Sequence, residues 1–269
     1  MPDNDFGFSD IEVQQKDGYA SIVLTRDQNL NSMNTKLHRE LLQALRDLPN
    51  PPYSVRAILI TGRGRAFSAG QDLEEVRSVR NGLPVRVGDL VKDNYVPLMR
   101  TLNNLDVPTV CAVNGVAAGA GVSLALACDI VIASKDARFI HAFSKIGLMP
   151  DGGGTWLLPR LVGRSRALSQ FFLNETIDAQ TALELGMIAK VVESQRLIDE
   201  ASKVASILAN GPTKAYVATR RAVDHGFHIS FEESLMLEAE LQSNLGATYD
   251  FEEGVEAFIQ KRDPKFKGE

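Results

Sequence analysis

The chain has 269 residues, 44% hydrophobic and 23% charged, the make-up of a folded protein with one large domain or one domain and an appendage. Its net charge of −5, from 29 Lys and Arg against 34 Asp and Glu, argues against non-specific nucleic-acid binding, and no apolar run approaches a membrane span. Met1-Pro2-Asp3-Asn4-Asp5 lacks the basic-then-apolar pattern of a signal peptide. Cys111 and Cys128 both sit in apolar segments and read as small buried hydrophobes in a reduced compartment, so the expected location is the cytoplasm.

Tyr19 to Thr25 is short, rich in β-branched residues and reads as a strand. Asn34 to Leu48 carries Leu37, Leu41, Leu45 and Leu48 at helical spacing, with Asn34 placed to cap it. Val55 to Thr61 is a compact apolar run, a buried strand that ends in the turn Gly62-Arg63-Gly64-Arg65. Thr109 to Val113 and Asp129 to Ala133 are further strands of this kind, and the alternation predicts an α/β layered fold. From Gln195 onward only helices are predicted, broken at Gly211-Pro212 and Gly246. Ser230 with Glu233 forms a capping-box signature ahead of an amphipathic segment. The expected division is a core over residues 1–195 and a helical region over 196–269. Such a tail either completes the core or supplies an oligomer interface.

Two glycine-bearing segments follow strands: Ala66 to Leu73, and Val113 to Ser123. Glycine allows sharp turns and close approach of a ligand to backbone N–H groups. Neither segment is a dinucleotide fingerprint or a phosphate loop. Gly121-Val122-Ser123-Leu124-Ala125 is near the nucleophile elbow of serine hydrolases but lacks its closing glycine, and His141, His225 and His228 carry no motif that would place one beside Ser123. In a third segment Asp151 precedes Gly152-Gly153-Gly154 and an apolar stretch. Asp before a helix is commonly a cap. Three glycines weaken a helix start, however, and suit a carboxylate that something must approach closely.

The order of several short motifs resembles the enoyl-CoA hydratase/isomerase family, also called the crotonase family, over nearly the whole length. They are Asn31 within Arg26 to Met33, Phe67 to Leu73, Ala112 to Gly115 with the small-residue loop, Cys128-Asp129-Ile130, Pro150 to Thr155, and Ala257 to Arg262. The resemblance implies a crotonase-like spiral of ββα units followed by C-terminal helices that build a trimer, often paired into a hexamer. It implies two backbone N–H donors for a thioester oxygen, at Gln71 and Ala120. Ala69 and Leu73 match positions bordering the adenine of coenzyme A, and Phe258 and Lys261 match positions that reach the CoA of a neighbouring subunit. An ordinary helix end would also account for the last two.

Hydration in this family uses two glutamates, and here those positions hold Ser123 and Phe143. A serine without an activator is no base near neutral pH, and a phenylalanine takes no part in proton transfer. Isomerisation needs one carboxylate, and the resemblance places Asp151 where dienoyl-CoA and ring-epoxide isomerases carry a catalytic Asp. The stretch Phe143 to Gly163 resembles the phenylacetyl-CoA pathway isomerase that turns a ring-1,2-epoxide into an oxepin. The expected activity is acyl-CoA isomerisation on CoA as part of the substrate, with no metal, nicotinamide or nucleic acid. The alternatives are an enoyl-CoA hydratase, a serine hydrolase, and a non-catalytic CoA- or RNA-binding relative. For the last, Lys36, Arg39 and Arg46 could offer a small basic face but read as solvated. The segment Glu74 to Tyr95 is expected to help form the acyl pocket, with Arg77, Arg80 and Arg86 solvating it.

Overall fold

The computed structural model describes residues 6–79 and 86–269, so Met1 to Asp5 and Arg80 lie outside the described residues. β1 (Ile11–Lys16) and β2 (Tyr19–Leu24) form an antiparallel pair, followed by α1 (Thr35–Asp47). Asn34 caps α1 as its position predicts: its side-chain oxygen accepts the Leu37 N–H at 2.8 Å.

From there the chain repeats one pattern. A strand of a large sheet is followed within a few residues by a three-residue strand of a second sheet. The pairs are β3 (Ala57–Gly62) with β4 (Ala66–Ser68), β5 (Thr109–Val113) with β6 (Val116–Ala118), and β7 (Ile130–Ser134) with β8 (Arg138–Ile140). β9 (Ile177–Asp178) runs antiparallel to β8, and β10 (Lys190–Val192) closes the large sheet beside β7. The orders are β1-β2-β3-β5-β7-β10 and β4-β6-β8-β9. Between the strands lie α2 (Leu73–Val79), α3 (Val87–Leu90), α4 (Val96–Asn103), α5 (Ala120–Leu126), α6 (Gly154–Val162), α7 (Arg164–Leu173) and α8 (Ala179–Glu184). This is the expected spiral of ββα units.

The large sheet is covered on both faces, which is why β3 and β5 read as unbroken apolar runs. Ile58, Ile60, Cys111 and Val113 face the core shared with the small sheet and the helices. Ala57, Leu59, Val110 and Ala112 alternate to the other face. That face is closed by α9 (Leu197–Ala209), through Leu197, Ala201, Ala205 and Ala209, whose small side chains at i, i+4 spacing let the helix lie close. The first helix of the C-terminal region therefore completes the core. Cys111 and Cys128 are buried free thiols, as expected.

The remaining helices, α10 (Thr213–Gly226), α11 (Phe231–Leu245) and α12 (Tyr249–Gln260), have a different character. The capping box of Ser230 and Glu233 is formed, yet α11 buries none of its residues. Phe231 and Phe258 are 80% and 86% exposed. The end of the chain is tied back by Arg56, which donates to the Phe266 carbonyl at 2.8 Å, and by Asp250, which accepts the Gly268 N–H at 2.9 Å. Among the described residues no helix is long and apolar enough to cross a membrane.

Candidate active site

β4, β6 and β8 are short parallel neighbours. Parallel strands deliver the loops that follow them to the same edge of a sheet, the usual place for a ligand in such folds. The three glycine-bearing segments are these loops, so the topology gathers what the sequence scatters over 80-odd positions.

The first loop is held against Met33. The Met33 N–H donates to the Gly70 carbonyl at 2.7 Å, and the Asp72 N–H donates to the Met33 carbonyl at 3.1 Å. Gln71, the residue between, is bridged to Met33 in parallel fashion. In that pairing the middle residue directs its own N–H and C=O to the opposite side. There lies the second loop. A side chain added to Gly70, whose φ is +83°, would stand 2.6 Å from the Ala118 carbonyl oxygen and 3.1 Å from the Ala120 nitrogen. Only glycine fits that approach. Ala120 opens α5 and is buried. Among the described residues neither the Gln71 N–H nor the Ala120 N–H has an acceptor, although both belong to tightly packed loops. The Ala120 N–H is one of the donors that a helix start leaves without an intrahelical partner, and both N–H groups are free to receive an acceptor from outside the chain.

The third loop carries Asp151. It does not cap α6. The residue before that helix is Gly153, which makes no side-chain cap, and Asp151 contributes only its backbone carbonyl, accepting the Gly154 N–H at 2.9 Å. Its carboxylate is turned elsewhere: Oδ1 is buried with no hydrogen-bond partner. Burial raises its pKa to about 6, against the opposing effect of a hydrogen bond from its own backbone. It lines a cavity of about 560 Å³ whose walls are otherwise mainly Val87, Val91, Tyr95, Val96, Met99, Leu148 and Met149. Residues 87–95 thus do line this cavity. Arg77 and Arg86 are exposed, Arg86 being paired with Asp89 at 3.3 Å.

The glycines after Asp151 have a different cause from the one read in the sequence. Gly152 and Gly153, at φ +57° and +82°, turn the chain back on itself. A side chain at Gly152 would stand 3.3 Å from Ser123 Cβ and 3.4 Å from Tyr95 Cδ1, and one at Gly154 would stand 2.8 Å from Ser123 Oγ. What packs beside the turn is therefore protein.

Ser123 is buried, and its hydroxyl donates to the Asp151 carbonyl at 2.8 Å. Among the described residues no imidazole, His225 included, hydrogen-bonds to it. His141 packs edge-on against Phe171 at 4.9 Å, His38 against Tyr95 at 4.3 Å, and His228 stacks on Trp156 at 6.4 Å. The geometry overturns the serine-hydrolase alternative. Phe143 is buried, with its ring tip 3.9 Å from where a Gly119 side chain would begin.

Ala69 is half-buried in the first loop, and Leu73, 52% exposed, opens α2 beside it. Phe258 and Lys261 are not brought to the Asp151 cavity within this chain. Phe258 borders a separate cavity of about 410 Å³ with Phe251 and Phe266, and Lys261 ends α12 in a left-handed conformation. Tyr95 ends the segment expected to form the acyl pocket but was not singled out by sequence reasoning; its hydroxyl donates to Gln71 Oε1 at 2.9 Å and its ring lines the cavity. The spacing Val91, Tyr95, Met99 was the available signal, one apolar face at i, i+4, i+8.

The fold, with three loops after parallel strands and a carboxyl buried in an apolar cavity, defines a class, and comparison with known proteins agrees. The chain belongs to the enoyl-CoA hydratase/isomerase family, whose model matches residues 14–269. It is similar to 1,2-epoxyphenylacetyl-CoA isomerase of Escherichia coli K12, at 43% identity over 251 residues, 93% of this chain and 95% of that protein. It is similar to nearly the same degree, 41% over 258 residues, to a protein of Rhodobacter capsulatus named a probable enoyl-CoA hydratase, with 96% and 98% covered. A crystal structure of enoyl-CoA hydratase from Bacillus anthracis superposes with a TM-score of 0.90 at 31% identity, covering 97% of this chain and all of that one.

Proposed function

We propose that the chain is a CoA-thioester isomerase with Asp151 as its single acid–base group. The observation that carries this reading is Asp151 Oδ1, buried without a hydrogen-bond partner in an apolar cavity, one wall of which, Tyr95, donates to the side chain of Gln71. The N–H groups of Gln71 and Ala120 would receive the thioester oxygen. Each such donor is worth roughly 3 kcal/mol of barrier when charge develops on that oxygen. The neighbouring C–H becomes acidic. Asp151 takes its proton, the electron pair spreads into the conjugated thioester as an enolate, and the same carboxylic acid returns the proton at another carbon. One C–H bond breaks and one forms, and for the ring epoxide the C–C bond shared with the three-membered ring also opens as the π bonds shift to give the seven-membered oxepin, with no atom gained or lost. A carboxyl with pKa of about 6 is suited to both halves, being ionised at neutral pH yet basic enough to accept a proton.

Ser123 and Phe143 support isomerisation over hydration. Neither position offers a carboxylate to activate water, and the Ser123 hydroxyl is spent on the Asp151 backbone. The substrate would carry the acyl group in the Asp151 cavity, as a ring-1,2-epoxide of phenylacetyl-CoA or an enoyl chain whose double bond shifts. Ala69 and Leu73 would border the adenine. Phe258 and Lys261 would meet the CoA of a neighbouring copy, in a homotrimer or a pair of trimers, which gives the exposed phenylalanines of the C-terminal helices a role. No further cofactor enters these steps.

The test is a panel of acyl-CoAs offered to the parent and to Asp151→Asn, with crotonyl-CoA included. Isomerisation of the ring-epoxide or of an enoyl-CoA, lost in the variant, supports the reading. Efficient hydration of crotonyl-CoA by the parent, with no isomerisation, would replace it by the hydratase.

A further inference from the structure

Tyr95 lines the cavity but has no part in the proton transfers above. It ends a turn of widened helix, Val91–Tyr95, immediately before α4. Such turns are frequent where a side chain must be re-aimed at a site. The side chain is 2% exposed. On one side its ring packs on the Gly152 backbone, next to Asp151, with Cδ1 3.4 Å from the point where a side chain at Gly152 would begin. On another side His38 stands edge-on at 4.3 Å. The hydroxyl donates to Gln71 Oε1 at 2.9 Å. Burial, together with the charges of Asp151 and Glu75, keeps the phenol protonated well above neutral pH, so it remains a donor.

One stiff aromatic side chain therefore touches both halves of the site. The Gln71 backbone is held by Met33 on one side only, and its free side is the one that would face a thioester. The other contact of the Gln71 side chain is long, from Nε2 to the Asp72 carbonyl at 3.4 Å. The Tyr95 hydroxyl is thus the firm tether of that side chain.

We propose that Tyr95 is a positioning residue, a strut that fixes the spacing between the Asp151 turn and the Gln71 loop. This rests on the isomerase reading. A strut of this kind acts on the alignment of base and donors over one thioester, which governs turnover, and leaves ground-state binding of the acyl group alone. Small misplacements in such an alignment cost rates of order 10- to 100-fold.

The test is a double-mutant cycle on the isomerase reaction with Tyr95→Phe, which keeps the ring, and Gln71→Leu, which keeps the backbone N–H. Turnover, KM and melting temperature are measured on each preparation, beside Asp151→Asn. Each single variant is expected to lose about tenfold in kcat with KM within about twofold, and the double variant to fall no further than the worse single, because both remove one bond. Multiplying losses would show two independent groups and overturn the proposal. So would a rise in KM at constant kcat, the sign of a direct substrate contact, or a fall in melting temperature with kcat unchanged. Near-parental turnover by Asp151→Asn brings down the isomerase reading itself, whereas loss there with unaltered Tyr95→Phe brings down only the strut.

Discussion

Among the described residues, two sizeable cavities border α6 or the turn before it, and they differ in how they hold their charges. The cavity at Asp151, about 560 Å³, leaves Oδ1 of its carboxyl without a hydrogen-bond partner. The other, about 490 Å³, is lined by Cys128, Asp129, Trp156, Arg160, Arg220 and Phe227 among others. There Arg220 donates to Asp129 Oδ2 at 2.9 Å and to the carbonyls of Leu105 and Val107, while the Arg160 guanidinium lies 3.9 Å over the Trp156 ring. Asp129 also accepts from the Thr109 backbone at 2.7 Å. In the second cavity the Arg220–Asp129 pair is consumed in holding helix α10 to the sheet core, while Asp224, in the same lining, has its pKa raised chiefly by burial. In the first the carboxyl is kept available. Similar size and apolar lining therefore say little about use, and the state of the charges says more.

The comparison breaks most sharply at Asp151 itself. Asp151→Asn is expected to lower turnover by about 10²–10⁴-fold while acyl-CoA affinity stays near the parent's, checked by initial rates and calorimetric titration. Turnover of the parent should also follow the ionisation of this carboxyl. The base form is needed, so kcat/KM should fall about tenfold per pH unit below the folded pKa of about 6 and level off above it. A pH–rate profile with its acid limb near the ordinary carboxylate value of 3.8 would assign the proton transfer to another group.

In the second cavity the expected effect is on stability. Asp129→Ala strands Arg220 in a half-buried position and frees the Thr109 N–H, at a cost of about 2–4 kcal/mol in urea unfolding, with the rate of the folded enzyme unchanged. The smallest effect returns to Asp151 and has the reverse sign. Its folded pKa is raised, so the folded state holds the proton more tightly than the unfolded chain. This group's contribution is most favourable below pH 3.8 and is lost as pH rises through about 6. Asp151→Asn should therefore melt slightly above the parent at pH 7.5, the gap closing toward pH 4. An equal gap at both values would mean that ionisation is not its source.

How much of this was legible in the sequence follows from element length. β3, β5 and β7 are runs of buried apolar residues, and α1 has both period and cap, so each announced itself within a residue or two. β4, β6 and β8 are three residues long, too short to show any alternation, yet they aim the loops. Their loops were visible as glycine clusters, but that all three meet at one sheet edge follows from parallel pairing between distant segments. Gln71, Ala120 and Asp151 came from ordered motifs. Tyr95 came from none, because its role depends on packing against a turn 57 residues later. The reason for Gly152 and Gly154 likewise lay in the hidden neighbour Ser123.

The Ser123 clamp also bears on how a chain like this can change its chemistry over generations. Its hydroxyl holds the carbonyl of the very residue proposed as base, and the turn at 152–154 fits so closely around it that no atom heavier than hydrogen can be added at Gly154 without moving the serine. A glutamate at 123, the residue a hydrating relative would use, finds this space already filled. It would push on the backbone that carries Asp151. On the isomerase reading, a single codon change at 123 would thus disturb the base before it conferred hydration, and the two activities are separated by a step that must be taken at the serine, the glycine turn and Phe143 together.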